Sequence, residues 1–276
     1  MGSFSDDVET LRVWRENNDR KSREIVKIWL ATVEENLDSL GKDKFVVIEQ
    51  VCIAALDCNE LRVAEKCIDL LYKAFPNSSR VKRLQSMFCE AEERYDEALV
   101  ILDGLIKEDP TNSAAKKRKI AILKSQGKIS EAVKELTDYL KTFMADTEAW
   151  QELSEIYISE NDFNKAAFCV EELILHNPHN HLLHQRYADI KYTQGGQENI
   201  EIAKNYYCQA LKLNPNNIRA LYGLYLTGTH SSVSKLPQKK KEASKLADWS
   251  IKEIEKKYAP IPTIPDLNDR LAALDI

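Results

Sequence analysis

The chain has 276 residues, 43% of them hydrophobic and 30% charged, with eight glycines and eight prolines; this composition suits a folded helical protein and excludes extended disorder. A formal net charge of −5 gives no electrostatic basis for nucleic-acid binding, and the longest purely apolar run, Val51 to Leu56, is far shorter than the roughly 20 residues a membrane span needs. Met1 to Thr10 is acidic and shows no signal peptide, and the six cysteines stand without a C-x-x-C pair, so they read as reduced core thiols of a cytosolic protein.

Ser22 is placed to cap a helix whose Ile25, Ile28, Trp29, Val33, Leu37 and Leu40 form an apolar stripe ended by Gly41. Val8, Leu11 and Trp14 predict a short helix on its edge. Residues 1–44 therefore read as a helical cap.

Residues 45–258 carry an internal period. Ala64, Ala98, Ala132 and Ala166 are spaced 34 residues apart; Ile68, Leu102, Leu136 and Val170 follow each alanine by four, and Leu71, Leu105, Tyr139 and Leu173 by seven. Pro76 and Pro110 keep the same step, with Pro178 two steps further and Met144 at the place between. Within Thr147 to Pro178, Trp150, Leu153 and Tyr157 fall on one face of a first helix, and Ala166, Val170 and Leu173 on one face of a second. These residues resemble the signature of the tetratricopeptide repeat, a helical hairpin in which a small alanine allows close helix approach. The expected fold is all-α, a superhelical solenoid of about five to six antiparallel helix pairs, with Trp150 in its core.

A fifth unit keeps Ala203, Tyr207, Ala210 and Pro215, but Ala203 comes 37 residues after Ala166, which places three extra residues in the turn from Gly195 to Asn199. A sixth opens at Ala220, passes a loop from Thr229 to Lys241, and ends in a helix from Glu242 to Tyr258 presenting Leu246, Trp249, Ile254 and Tyr258. Pro260, Pro262 and Pro265 set residues 259–276 apart as a proline-rich tail in which Leu267 to Leu274 is a short amphipathic stretch.

His176, His179, His181 and His184 straddle an inter-repeat turn at no standard metal spacing, and Cys169 lies about 10 Å along its helix from His176, too far for a nucleophile and base. Neither a Walker A sequence, a dinucleotide fingerprint, a nucleophile elbow nor H-E-x-x-H is present, so no catalytic role, cofactor or metal is expected. The runs Lys116 to Lys119 and Lys239 to Lys241 read as solvated faces.

Repeats of this class bind partners along a groove lined by first helices. Lys82, Lys117 and Arg118 stand on the first helices of units two and three, Glu148, Glu152 and Glu155 on that of unit four, and Asp189 on that of unit five. A groove running from basic to acidic is the expectation, which would orient an extended partner segment. Gln151, Glu152 and Glu155 stand at the first-helix positions where chaperone-binding repeats carry lysines and asparagines, and the two glutamates disfavour capture of a C-terminal carboxylate.

Several strings go beyond the generic repeat: R-V-K-R-L from Arg80, E-R-Y-D-E-A from Glu93, E-A-W-Q-E-L from Glu148, N-P-H-N-H-L from Asn177 and Y-T-Q-G-G from Tyr192. They resemble the subunit 2 family of the endoplasmic-reticulum membrane protein complex, over residues 45 to 228. The resemblance implies a non-catalytic, peripheral scaffold on the cytoplasmic face of the endoplasmic-reticulum membrane, supporting insertion of tail-anchored and multi-pass proteins. It also implies other subunits of that complex as partners, including the subunit 8/9 type and cytosolic parts of subunits 3 and 5. The repeats alone leave open a free cytosolic co-chaperone or adaptor.

Overall fold

A computed structural model describes residues 4–230 and 237–258, with side chains at 237–240 excepted. The proline-rich tail therefore lies outside the described residues, as do part of the loop before the last helix and the side chains of Lys239 and Lys240; Lys241 is exposed. The described residues contain no strand.

Helices α1 (Phe4–Glu16) and α2 (Ser22–Ile28) lead into a π-helical turn, Trp29–Val33, and a 3-10 stretch, Glu34–Asp43. The stripe expected there is present, with Ile25, Trp29, Val33 and Leu40 buried, but it is not one regular helix: Asn36 and Gly41 depart from helical geometry. Ser22 does not cap α2. Its hydroxyl donates to Asp57 Oδ2 at 2.8 Å, tying this segment to the next helix.

Helices then follow in pairs: α3 (Lys44–Asp57) and α4 (Leu61–Ala74), α5 (Ser79–Ala91) and α6 (Tyr95–Glu108), α7 (Ser113–Ser125) and α8 (Ile129–Thr142), α9 (Thr147–Ser159) and α10 (Phe163–His176), α11 (His181–Gln194) and α12 (Gln197–Leu213), α13 (Ile218–Thr229) and α14 (Pro237–Tyr258). The turn inside each early pair is the same device. Asn59, Glu93, Gly127 and Asn161, again 34 apart, hold φ between 59° and 71°. The amide after each bonds back to the carbonyl five residues earlier: Glu60 to Ala55, Arg94 to Cys89, Lys128 to Leu123, Asp162 to Tyr157. This is a Schellman closure, and the second helix starts two residues after the positive-φ position, with three residues between the helices. From α7 onward, first helices are opened by side-chain caps: Asn112, Asp146 and Asn217 accept from the amide three residues on, and Asn180 from the amide two on.

The expected three-residue insertion is not in the turn. Gly195 and Gly196, at φ 68° and 81°, close it on the regular period, and α12 begins at Gln197 with 17 residues where α10 has 14. The extra residues form nearly one helical turn, and because three residues advance the helix by about 300°, the apolar phase is almost kept. Asn199 Nδ2 fastens this added turn to the Gly195 carbonyl at 3.0 Å.

The chain divides into two compact units, Met1–Glu135 and Leu136–Ile276. In the first, one core joins Leu11, Trp29 and Val33 to Val51, Ala64 and Leu84, so the helices before Lys44 pack into the same interior as α3–α5. In the second, Ala166, Val170, Tyr187 and Ile190 form one cluster, and Ala203, Tyr207, Leu221, Leu224 and Ile254 contribute to another. Ala166 is fully buried and its carbonyl accepts from Ser154 Oγ at 3.3 Å, which shows how closely α9 and α10 approach. Gly223 allows a similar approach, since a Cβ there would stand 2.2 Å from the Tyr207 ring.

Candidate partner-binding surfaces

In the first unit, the charged residues singled out on first helices do not share one direction. Lys82 is the fourth residue after the Ser78 cap position, where α9 has Trp150 after Asp146; it turns toward the second helix α6 and pairs with Glu108 at 2.7 Å. Arg118 instead bridges first helices, its Nη1 2.6 Å from Glu90 of α5, with both side chains about a quarter to a third exposed. Lys117 is partly buried on the same helix. Lys119, beside it, is held between Asp103 and Glu135, both at 3.0 Å. The basic run is thus interleaved with carboxylates.

In the second unit, Glu148 and Glu155 are exposed on α9 and Glu152 is partly exposed. Gln151 donates to Glu155 at 3.2 Å. Asp189 is a structural junction: it accepts from Tyr207 at 2.7 Å, from Arg219 at 3.1 Å and from Gln185 at 3.2 Å. Burial first, and then this carboxylate, push the Tyr207 hydroxyl well above its ordinary pKa, so it remains the proton donor.

The histidines go to separate tasks. His184 is buried, with Nε2 2.8 Å from the Pro178 carbonyl, while His176 Nε2 lies 3.2 Å from the Met144 carbonyl. His181 sits with its two ring nitrogens each 3.0 Å from the side-chain amides of Asn214 and Asn217, which staples one inter-repeat turn to the next. His179 is exposed. Among the described residues no group of His, Cys, Asp and Glu is arranged to hold a metal ion. Burial pushes the Cys169 and Cys52 thiols up to about 12, which removes them as nucleophiles near neutral pH.

Two apolar grooves escaped the sequence reading. One, of about 270 Å3, is floored by Trp150, Leu153 and Phe168 and edged by Leu140, Met144 and Lys165. Trp150 is here rather than in the core: it is partly exposed, its indole N–H donates to the Met144 carbonyl at 2.9 Å, and its ring meets Phe168 edge-on at 6.0 Å. Met144 stands at the missing proline position and is 67% exposed, so its side chain extends the groove's apolar wall. The second, of about 520 Å3, has Cys208, Leu211 and Leu224 on one side and Leu246, Trp249 and Glu253 on the other. The two are register equivalents. Cys208 and Leu211 follow Ala203 by the steps that separate Thr137 and Leu140 from Ala132, and Trp249 follows Ala247 as Phe168 follows Ala166. The signal for them was available in the sequence: a large apolar residue two places after the small residue of a second helix points away from its own hairpin.

Comparison with known proteins places this geometry in a family. The family model described as the EMC2 TPR-like repeat domain matches residues 44–204, and a tetratricopeptide repeat matches residues 192–217. ER membrane protein complex subunit 2-A of Xenopus laevis is 48% identical over 258 residues, 93% of this chain and 87% of the relative. The ER membrane protein complex subunit 2 of Dictyostelium discoideum is 34% identical over 91% of this chain and 83% of its own length. Among solved structures, the C-terminal part of a TPR repeat-containing protein from Cytophaga hutchinsonii matches with a TM-score of 0.64 at 14% identity, covering 97% of this chain and 99% of that one, a likeness of fold that supports a helical solenoid. By sequence over nearly its whole length, the chain belongs to the ER membrane protein complex subunit 2 family.

Proposed function

We propose that this protein is a non-catalytic scaffold subunit of the endoplasmic-reticulum membrane protein complex, held peripherally at the cytoplasmic face of the membrane, where it supports insertion of tail-anchored and multi-pass proteins by organising other subunits. The observation that carries this reading is family membership across 93% of the chain. No helix of the described residues is long and apolar enough to cross a membrane, which agrees with attachment through partners. The partners proposed are the subunit 8/9 type and cytosolic parts of subunits 3 and 5.

Within this reading, the basic faces of α5 and α7 receive acidic partner segments and the acidic face of α9 a basic one. Arg118→Glu would set two carboxylates against each other at Glu90 and disturb the fold itself, so the basic side is probed at Lys117 with stability measured alongside. Lys117→Glu is expected to lower recovery of partner subunits from detergent-solubilised membranes by more than any change in melting temperature accounts for; full recovery would remove this face from assembly. Fractionation separates the rival reading of a free co-chaperone. A scaffold sediments with membranes and is released at alkaline pH, whereas a co-chaperone stays in the soluble fraction.

A further inference from the structure

Within the second unit, the groove of about 270 Å3 opens between the second helices α8 and α10, whereas the charges discussed above stand on first helices. Its floor is fixed by the chain itself. The Met144 carbonyl accepts from the Trp150 indole N–H at 2.9 Å and lies 3.2 Å from His176 Nε2, while the Phe168 ring meets the indole edge-on. With its one donor already used, the indole offers an occupant only apolar surface. Phe168 is 53% exposed beside it, and with Met144 the three make a cluster of large, preset apolar groups such as carries binding energy at interfaces. The rim adds a sign. Among the described residues, the charged side chains lining the groove are both lysines, Lys141 on α8 and Lys165 on α10. Each pairs at 2.7 Å with the aspartate three places before it, Asp138 and Asp162. Exposed pairs of this kind contribute little and exchange readily, and neither aspartate lines the groove.

We propose that this seam receives an acidic amphipathic helix of a partner protein, with apolar side chains seated on Trp150 and Phe168 and carboxylates at Lys141 and Lys165. The size fits. A cavity of roughly 150 Å3 accepts one benzene ring, so the volume of about 270 Å3 admits one large side chain and part of a second. Both walls are helical: Thr137, Leu140 and Lys141 rise from α8 and Lys165 and Phe168 from α10 at intervals of three and four, so a third helix lays its own ridge between them. The two lysines then select by charge, since a basic helix would bring like charges to both edges of the groove. This inference rests on the scaffold reading for the existence of partners, and it adds to that reading a contact surface on second helices.

The test uses the full chain and two stapled helical peptides as probes, each presenting a leucine and a phenylalanine one turn apart, flanked by glutamates in one and by lysines in the other. In an anisotropy titration the glutamate peptide is expected to bind about tenfold more tightly than the lysine peptide. It should also change the tryptophan emission by an amount that vanishes in a Trp150→Phe background. Phe168→Glu should abolish binding of the glutamate peptide, with a melting curve run alongside; half of this ring already faces water. A second variant leaves the floor intact: with Lys141→Gln and Lys165→Gln together, both peptides should bind equally, by apolar contact alone. Failure of both peptides to bind, or binding that survives Phe168→Glu, would overturn the proposal. Equal binding to the unmodified chain, or preference for the lysine peptide, would overturn the acidic partner. Self-association of the chain that Phe168→Glu abolishes would overturn it in favour of a second copy. The peptides report on this groove alone, so their failure leaves recovery of complex subunits from membranes as a separate test of the scaffold reading.

Discussion

At Glu93 the backbone is held at φ 59°, the conformation its repeat equivalents assign to Asn59, Gly127 and Asn161. A side chain with a free Cβ and no local hydrogen bond to offer is the poorest of the four for this site, at about 1 kcal/mol or more. Glu93→Gly is therefore expected to stabilise the protein by about 0.5 to 1 kcal/mol, read as a higher urea midpoint; a lower midpoint would mean that the Glu93 side chain supports the turn. The two prominent tryptophans make a second test. Trp29 is fully buried, so Trp29→Ala should cost about 3 to 5 kcal/mol. Trp150, which the repeat signature assigned to the core, lies at a groove and should cost only about 1 to 2 kcal/mol on truncation. Equal losses in paired urea titrations would contradict this placement. The signature residue was legible in the sequence, but its exposure was not, because the face it covers depends on Met144 and Phe168, which periodicity alone does not bring together.

At the scale of elements, the hairpins and their alanines were legible because one period fixes the buried small residue, the turn and the cap together. The α12 extension was not legible in the same way. Sequence spacing shows that three residues are added, whereas the paired positive φ of Gly195 and Gly196 decides that they enter the helix. The joint between the N-terminal helices and α3 was also missed, since it rests on side chains far apart in sequence. Arg20 grips Asp57 through two bonds of 2.6 and 2.8 Å, and Ser22 adds a third at 2.8 Å. The Arg20 hydrogen bond, with smaller help from Ser22 and from the Arg20 charge, holds the Asp57 carboxyl below the usual carboxylate range. The group is depressed in the folded state, so its stabilisation is present above the unfolded pKa of about 3.9 and is lost as pH falls through the lower folded value. Asp57→Asn should thus cost up to about 1 kcal/mol at pH 7, with the gap to wild type closing below about pH 4. A gap that persists at pH 3 would assign the effect to packing instead.

For the whole molecule, the sequence disclosed a repeat array and a family, while the surface that meets partners was only partly readable. Charges noted on first helices proved to have internal obligations, most plainly Asp189 under Tyr207 and Arg219, and Arg118 against Glu90. A charge tied in this way lends less to a partner than an exposed one, which moves attention to the apolar grooves. Such obligations arise between repeats and cannot be read from one repeat alone. The proposed scaffold role is tested most directly by affinity purification of the tagged full-length chain from detergent-solubilised membranes, with the bound proteins identified by mass spectrometry. The account predicts recovery of the other subunits of the endoplasmic-reticulum membrane protein complex in near-stoichiometric amounts. Recovery of the chain alone, or only with soluble chaperones, would contradict it.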